Sequence, residues 1–99
     1  MNSGLTKEQI IQIQQVFSLY PTIKKIWLFG SRARGDFRNN SDIDIAFESA
    51  AFSFDDELGL RSKLSALPLP YSIDLVHLNS LEEEGLKTKI EQERVGLGV

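Results

Sequence analysis

Two acidic residues one position apart, Asp42 and Asp44, follow a turn rich in glycine and arginine, Gly30-Ser31-Arg32-Ala33-Arg34-Gly35-Asp36. On a strand, successive side chains point to opposite faces, so Asp42 and Asp44 would project together while Ile43 and Ile45 enter the other side. A Gly-Ser turn at a strand end offers backbone N–H groups to an anion, and glycine permits close approach. Gly30 and Ser31 are the candidate phosphate cradle, with Arg32 and Arg34 as the candidate phosphate-binding cations. The paired carboxylates supply hard oxygen donors of the kind Mg²⁺ takes together with water and substrate phosphates. Residues of these types at this spacing point to metal-dependent chemistry on a nucleotide.

Asp74 is a third acid of interest, because it interrupts the apolar run Ile73-x-Leu75-Val76, where an uncompensated charge is costly. A shared metal would compensate it. Asp42, Asp44 and Asp74 on adjacent strands could hold two ions, one activating an attacking hydroxyl, the other stabilising the α-phosphate and departing pyrophosphate. Asp74 would help deprotonate that hydroxyl. Its bland alternative is an edge-strand charge that discourages sheet pairing. His77 lies an odd number of positions from Asp74 and should face away from the acids. Ser41 reads as a turn or cap residue, and Trp27 and Phe29 read as core.

These residues need elements to hold them. Thr6 and Gln9 resemble a capping box, and Ile10, Ile13, Val16, Phe17 and Tyr20 repeat at helical spacing, predicting a helix over 7–19. Ile23 to Phe29 predicts a buried strand ending at the Gly-Ser turn. Residues 32–36 fit one short helical turn, and a second strand is expected over 42–47. Ser53 to Asp56 offers a cap for a second long helix, with Leu60, Leu64 and Leu67 on one face before Pro68 and Pro70 stop it. A third strand is expected over 71–78, and Ser80 with Glu83 predicts the cap of a last helix running towards Arg94, its acidic start Glu82 to Glu84 suiting the positive helix end. Leu86 and Ile90 give that helix its core face, and Gly96 and Gly98 let the chain leave it. The class is α/β or α+β, with one small central sheet against helices; the strand order is not readable.

Composition narrows the function. The chain has 99 residues, 41% hydrophobic and 25% charged, enough for a single folded domain over residues 1–99. The formal net charge of −3 disfavours binding nucleic acid by general electrostatic attraction. Arg32, Arg34 and Arg38 around one turn suit a single polyphosphate better than a duplex. With no cysteine and one histidine, any metal must be held by oxygen. The polar stretch 1–9 and the lack of a long apolar run predict a cytoplasmic protein without a membrane segment.

The stretch from Phe29 to Phe47 closely resembles the minimal nucleotidyltransferases, small members of the DNA polymerase β-like nucleotidyltransferase superfamily, and the likeness extends more loosely from the first helix to the last. The glycine-serine element of that family matches Gly30 and Ser31, its paired acids match Asp42 and Asp44, and its third acid matches Asp74. The resemblance implies a minimal polymerase β-like palm and transfer of a nucleoside monophosphate from a Mg²⁺-bound triphosphate, ATP before other NTPs, to a hydroxyl. It implies a helical HEPN-type partner as well. In such toxin–antitoxin pairs the nucleotidyltransferase modifies the toxin with AMP on a tyrosine, so the implied acceptor is a protein side chain. Larger relatives carry extra acceptor-binding domains, so a hetero-oligomeric partner or a second copy in a homodimer is expected to supply that surface here.

Two other functions fit parts of the pattern. One is a nucleotide-binding regulatory or antitoxin subunit that inhibits its partner by contact with little turnover; the other is a nucleic-acid-binding module, which the net charge disfavours.

Overall fold

The structure, a computed structural model, describes residues 3–97; Gly98 lies outside them. Helix α1 (Lys7–Phe17) begins at the Thr6–Gln9 capping box: Gln9 N–H donates to Thr6 Oγ1 at 3.1 Å, and Thr6 N–H to Gln9 Oε1 at 2.9 Å. It ends two residues earlier than its apolar spacing suggests. Strand β1 (Ile23–Phe29) has the predicted limits and runs directly into the five-residue helix α2 (Gly30–Arg34). Gly35 stops α2 at φ 92°, in the left-handed region that favours glycine.

Strand β2 (Ile43–Ser49) starts one residue later than expected, leaving Asp42 at its threshold. Helix α3 (Phe54–Ser65) again begins at a capping box, between Ser53 and Asp56. Strand β3 (Ile73–His77) follows. The sheet is then completed by β4 (Val95–Gly96), which pairs with Trp27 and Leu28 and was not expected. The strand order is β3-β2-β1-β4, with β2 and β3 parallel and both other pairings antiparallel. The expected small central sheet against helices is therefore present, and its mixed pairing arises because α3 returns the chain to β3 as a β-α-β crossover.

The predicted Ser80–Glu83 cap does not form. Residues Leu78–Ser80 make a 3₁₀ turn, with Ser80 Oγ donating to the His77 carbonyl at 3.2 Å. Asn79 Oδ1 accepts from Ser49 N–H at 2.8 Å, tying that turn to the end of β2. With Ser80 used in this way, α4 (Glu84–Glu93) starts later, after the N-cap Glu83, which makes no side-chain capping bond.

Alternation along the strands divides the side chains between two faces. Ile26, Leu28, Ile43, Ile45, Phe47 and Leu75 point to the α1/α3 side and form the main core, with Ile13, Phe17, Leu60 and Leu64 packed on them. Phe29 and Ala46 point to the α4 side with Ile90, half-buried Trp27 flanking them. Trp27 and Phe29 thus pack as expected. His77 is held on the main core side, stacked on Phe47 at 4.9 Å between ring centroids, and its Nε2 lies 2.9 Å from the Ser49 carbonyl.

Arg32 is the large polar exception in the interior, with 1% of its surface exposed. Its Nε and Nη2 donate to the Ser41 carbonyl at 3.1 and 2.9 Å, and its Nη1 donates to the Ser3 carbonyl at 2.9 Å. The guanidinium also lies over the Tyr71 ring, 4.2 Å from its centroid, and 5.1 Å from that of Phe37. One side chain therefore ties α2 to the chain start, to the loop before β2 and to the approach to β3. The assignment of Arg32 to phosphate binding is corrected here: the side chain is buried and donates to the Ser3 and Ser41 carbonyls. Arg32→Met should leave those carbonyls unpaired and cost about 2–4 kcal/mol, lowering the thermal midpoint by on the order of 10 °C in a circular-dichroism melt; an unchanged midpoint would show that the bonds add nothing.

Candidate active site

The parallel register of β2 and β3 sets Asp44 opposite Asp74, and the antiparallel register of β1 and β2 sets Asp44 beside Phe29. Asp42 lies two residues before Asp44, so the three acids gather at one end of the sheet on the α4 side. Ile43, Ile45 and Leu75, the alternating neighbours, are buried on the opposite face. Asp44 is half-buried, whereas Asp42 and Asp74 are exposed.

Burial pushes the Asp44 carboxyl up to about 6, and the charges of Asp74 and Asp42 and a hydrogen bond with Asp74 push in the same direction. The positive charge of Arg34 opposes them. The carboxylates therefore interact with one another in a partly desolvated place, and cation charge is in short supply there.

Phe29 leads into Gly30 at φ 74°, a conformation that side-chain-bearing residues rarely adopt. A Cβ on Gly30 would also drive into the Asp44 carboxylate. Glycine thus lets the turn close over the acid. A cavity of about 300 Å³ opens at this point, lined by Gly30, Ser31, Arg34, Asp44, Lys89 and Glu93. Phe29 and Leu86 form its apolar wall.

Gly30, Ser31, Arg34 and Asp44 thus meet in one hollow. Arg34 does so through ion pairs: its Nη1 bonds Glu93 Oε2 at 2.8 Å, and its Nε bonds Asp36 Oδ2 at 3.1 Å. Hydrogen bonds to Asp36 and then to Glu93 raise its guanidinium above its ordinary value. Ser41, as expected, serves a turn, its Oγ accepting from Arg38 N–H at 2.7 Å. The sequence reading missed Lys89 and Glu93. Both lie on α4, far along the chain, and helical spacing alone gave no reason to aim that polar face at the acids.

A larger hollow of about 490 Å³ lies between α3 and β3, beside Leu64, Tyr71 and Leu75. It has no carboxylate in its lining and sits on the side to which Leu75 points, opposite Asp74. The smaller cavity is therefore the one that an acid of the trio lines.

Among the described residues, no group of three or more acidic, histidine or cysteine side chains forms a finished cage for a cation. Oxygen donors that approach without closing still suit Mg²⁺, which keeps waters and substrate phosphates in its shell. Burial, and after it the charges of Asp74 and Asp42, disfavour an ionised Asp44, and such an ion would offset both.

Gly30→Ala should add backbone strain of about 1–2 kcal/mol and displace Asp44, so chemical denaturation should show a destabilised protein; unaltered stability would mean that the turn relaxes freely. Because the folded Asp44 binds its proton more tightly than an unfolded aspartate, its contribution to stability is present below the ordinary carboxylate range and lost as pH rises through about 6. Metal-free protein should accordingly melt higher at pH 5 than at pH 7.5. Asp44→Asn should flatten that difference in paired melts, and an equal slope in both proteins would contradict the assignment.

Similarity to known proteins agrees with this geometry. The polymerase β nucleotidyltransferase family model matches residues 11–97. Among solved structures, a toxin–antitoxin complex with AMP-PNP contains a chain 30% identical, with a TM-score of 0.75 over 90% of this chain and 72% of that one. A chain of the MntA–HepT toxin–antitoxin complex is 27% identical, with a TM-score of 0.63 over 91% of this chain and 72% of that one. A complex of a tri-AMPylated HEPN toxin from Shewanella oneidensis with its MNT antitoxin gives 26% identity and a TM-score of 0.62, covering 89% of this chain and 70% of that one. No curated protein matches. With the family's sheet, its glycine-serine turn and the acids facing that turn all present, this chain belongs to the polymerase β nucleotidyltransferase family.

Proposed function

We propose that this protein is the antitoxin of a HEPN-type toxin and that it transfers AMP from ATP to a tyrosine hydroxyl of that partner. The observation that carries the reading is the convergence of Asp42 and Asp74 on Asp44, which lines a cavity together with the Gly30-Ser31 turn. The antitoxin and AMP-transfer parts draw support from the AMP-PNP complex and from the AMPylated toxin bound to its antitoxin.

In this reading Gly30 N–H, Ser31 and Arg34 bind the outer phosphates of the nucleotide. Asp42, Asp44 and Asp74 would hold Mg²⁺, which supplies charge neutralisation at the α-phosphate and the leaving pyrophosphate. Asp44, half-buried and facing the cavity, fixes the nucleotide side of the site. Asp74 is exposed on the outermost strand and faces the side open to a macromolecular acceptor. It takes the proton from the acceptor hydroxyl as that oxygen attacks the α-phosphorus. The new phosphorus–oxygen bond forms while the bond from the α-phosphorus to the β-bridging oxygen breaks, and pyrophosphate departs.

The test is label transfer from ATP labelled at the α-phosphate, with Mg²⁺, to the HEPN-type protein that co-purifies with this chain. Label should appear on that protein with the wild type, fall by about 10²–10⁴-fold with Asp74→Asn, and vanish with Asp42→Asn combined with Asp44→Asn. A partner still inhibited by the double variant, with no label transferred by the wild type, would instead establish inhibition by contact.

A further inference from the structure

Glu93 occupies an unusual place for an acid. It sits at the C-terminal end of α4, where the helix dipole disfavours a negative charge, and it lines the same cavity as Asp44. Its side chain is nevertheless only 14% exposed, with both carboxylate oxygens engaged. Oε1 accepts from Gly30 N–H at 3.3 Å, and Oε2 accepts from Arg34 Nη1 at 2.8 Å. These are two of the donors assigned above to the polyphosphate. A carboxylate and a terminal phosphate make the same demand on a backbone N–H and a guanidinium, so both cannot hold these donors at once.

Lys89 is one helical turn earlier on α4, on the face it shares with Glu93, and lines the same cavity. Among the described residues it has no ion pair or hydrogen-bond partner. A free ammonium thus stands within one turn of a carboxylate whose present partners the nucleotide requires.

We propose that Glu93 is a resident competitor for the polyphosphate. It occupies the Gly30 and Arg34 donors in the empty protein, and nucleotide displaces it towards Lys89. The inference rests on the nucleotide reading of the cavity. It assigns α4 a part in setting nucleotide affinity: Glu93 weakens binding of the triphosphate by competing for its donors, and Lys89 makes the exchange less costly by receiving the displaced charge.

The experiment is calorimetric titration of the full chain with ATP and Mg²⁺, and separately with adenosine, for wild type, Glu93→Gln, Lys89→Met and the double variant. Glu93→Gln should tighten ATP binding about tenfold, equivalent to about 1.4 kcal/mol, and leave adenosine binding unchanged. Lys89→Met should weaken ATP binding in the wild-type background and change it much less in the Glu93→Gln background. A gain in affinity separates competition from structural support, since loss of a supporting ion pair does not tighten binding. Should Glu93→Gln fold poorly, Glu93→Asp keeps the charge but is too short to span both donors, and should give an intermediate gain. ATP binding by the wild type with no gain in either Glu93 variant would overturn this inference alone. No ATP binding by any of the proteins would overturn the nucleotide reading together with it.

Discussion

Holding three carboxylates together at a partly desolvated end of the sheet is the constraint around which this molecule is arranged. Asp44 and Asp74 face each other across a parallel strand pair, and Asp42 stands two residues away. They stay because a one-residue slip of β2 would turn Ile43, Ile45 and Phe47 out of the core and send the acids in. Burying each of those three side chains contributes about 1.5–3 kcal/mol. A rise of the Asp44 carboxyl to about 6 corresponds to at most about 3 kcal/mol, and to less once solvent screening of a half-exposed group is counted. The apolar face therefore wins, and the acids remain in a position they would not choose.

The two arginines of α2 show how short distances along a chain become opposite fates in space. Residues two apart on a helix lie on nearly opposite sides. Arg32 turns inward and is consumed by the Ser3 and Ser41 carbonyls, while Arg34 turns towards the cavity. Their roles are nonetheless joined. Arg32 holds the backbone at Ser41, the residue before Asp42, so a buried cation helps fix where the acidic pair begins. Arg34 is the cation whose field partly offsets the repulsion at Asp44.

The parts legible in the sequence are those written in local signals. The limits of β1 followed from the stretch Ile23 to Phe29 and the Gly-Ser pair after it, and the starts of α1 and α3 from caps that both form. The shared face of Asp42 and Asp44 followed from strand alternation. What stayed hidden depends on distant partners. β4 is two residues long, with no alternation of its own, and exists because Trp27 and Leu28 offer it a free edge. Ser80 resembled a cap, yet it closes a 3₁₀ turn tied to Ser49 through Asn79. Arg32 and Arg34 look alike in the sequence, and their separation required knowing that α2 starts at Gly30, two residues earlier than the expected helical turn.

Exposure divides the site into two sides. Asp44 is sheltered between Gly30, the cavity and the neighbouring strands, so it meets whatever small ligand fills the cavity. Asp74 lies on β3, and no strand pairs with the outer edge of β3 among the described residues. In the proposed reading, a reacting group on a large partner would reach Asp74 at that open edge, while the nucleotide would occupy the cavity. The parallel register brings the two sides together at Asp44 and Asp74, where a bond between their ligands would form. A domain with so little enclosed volume can thus serve a macromolecular acceptor, because only the nucleotide needs to be enclosed.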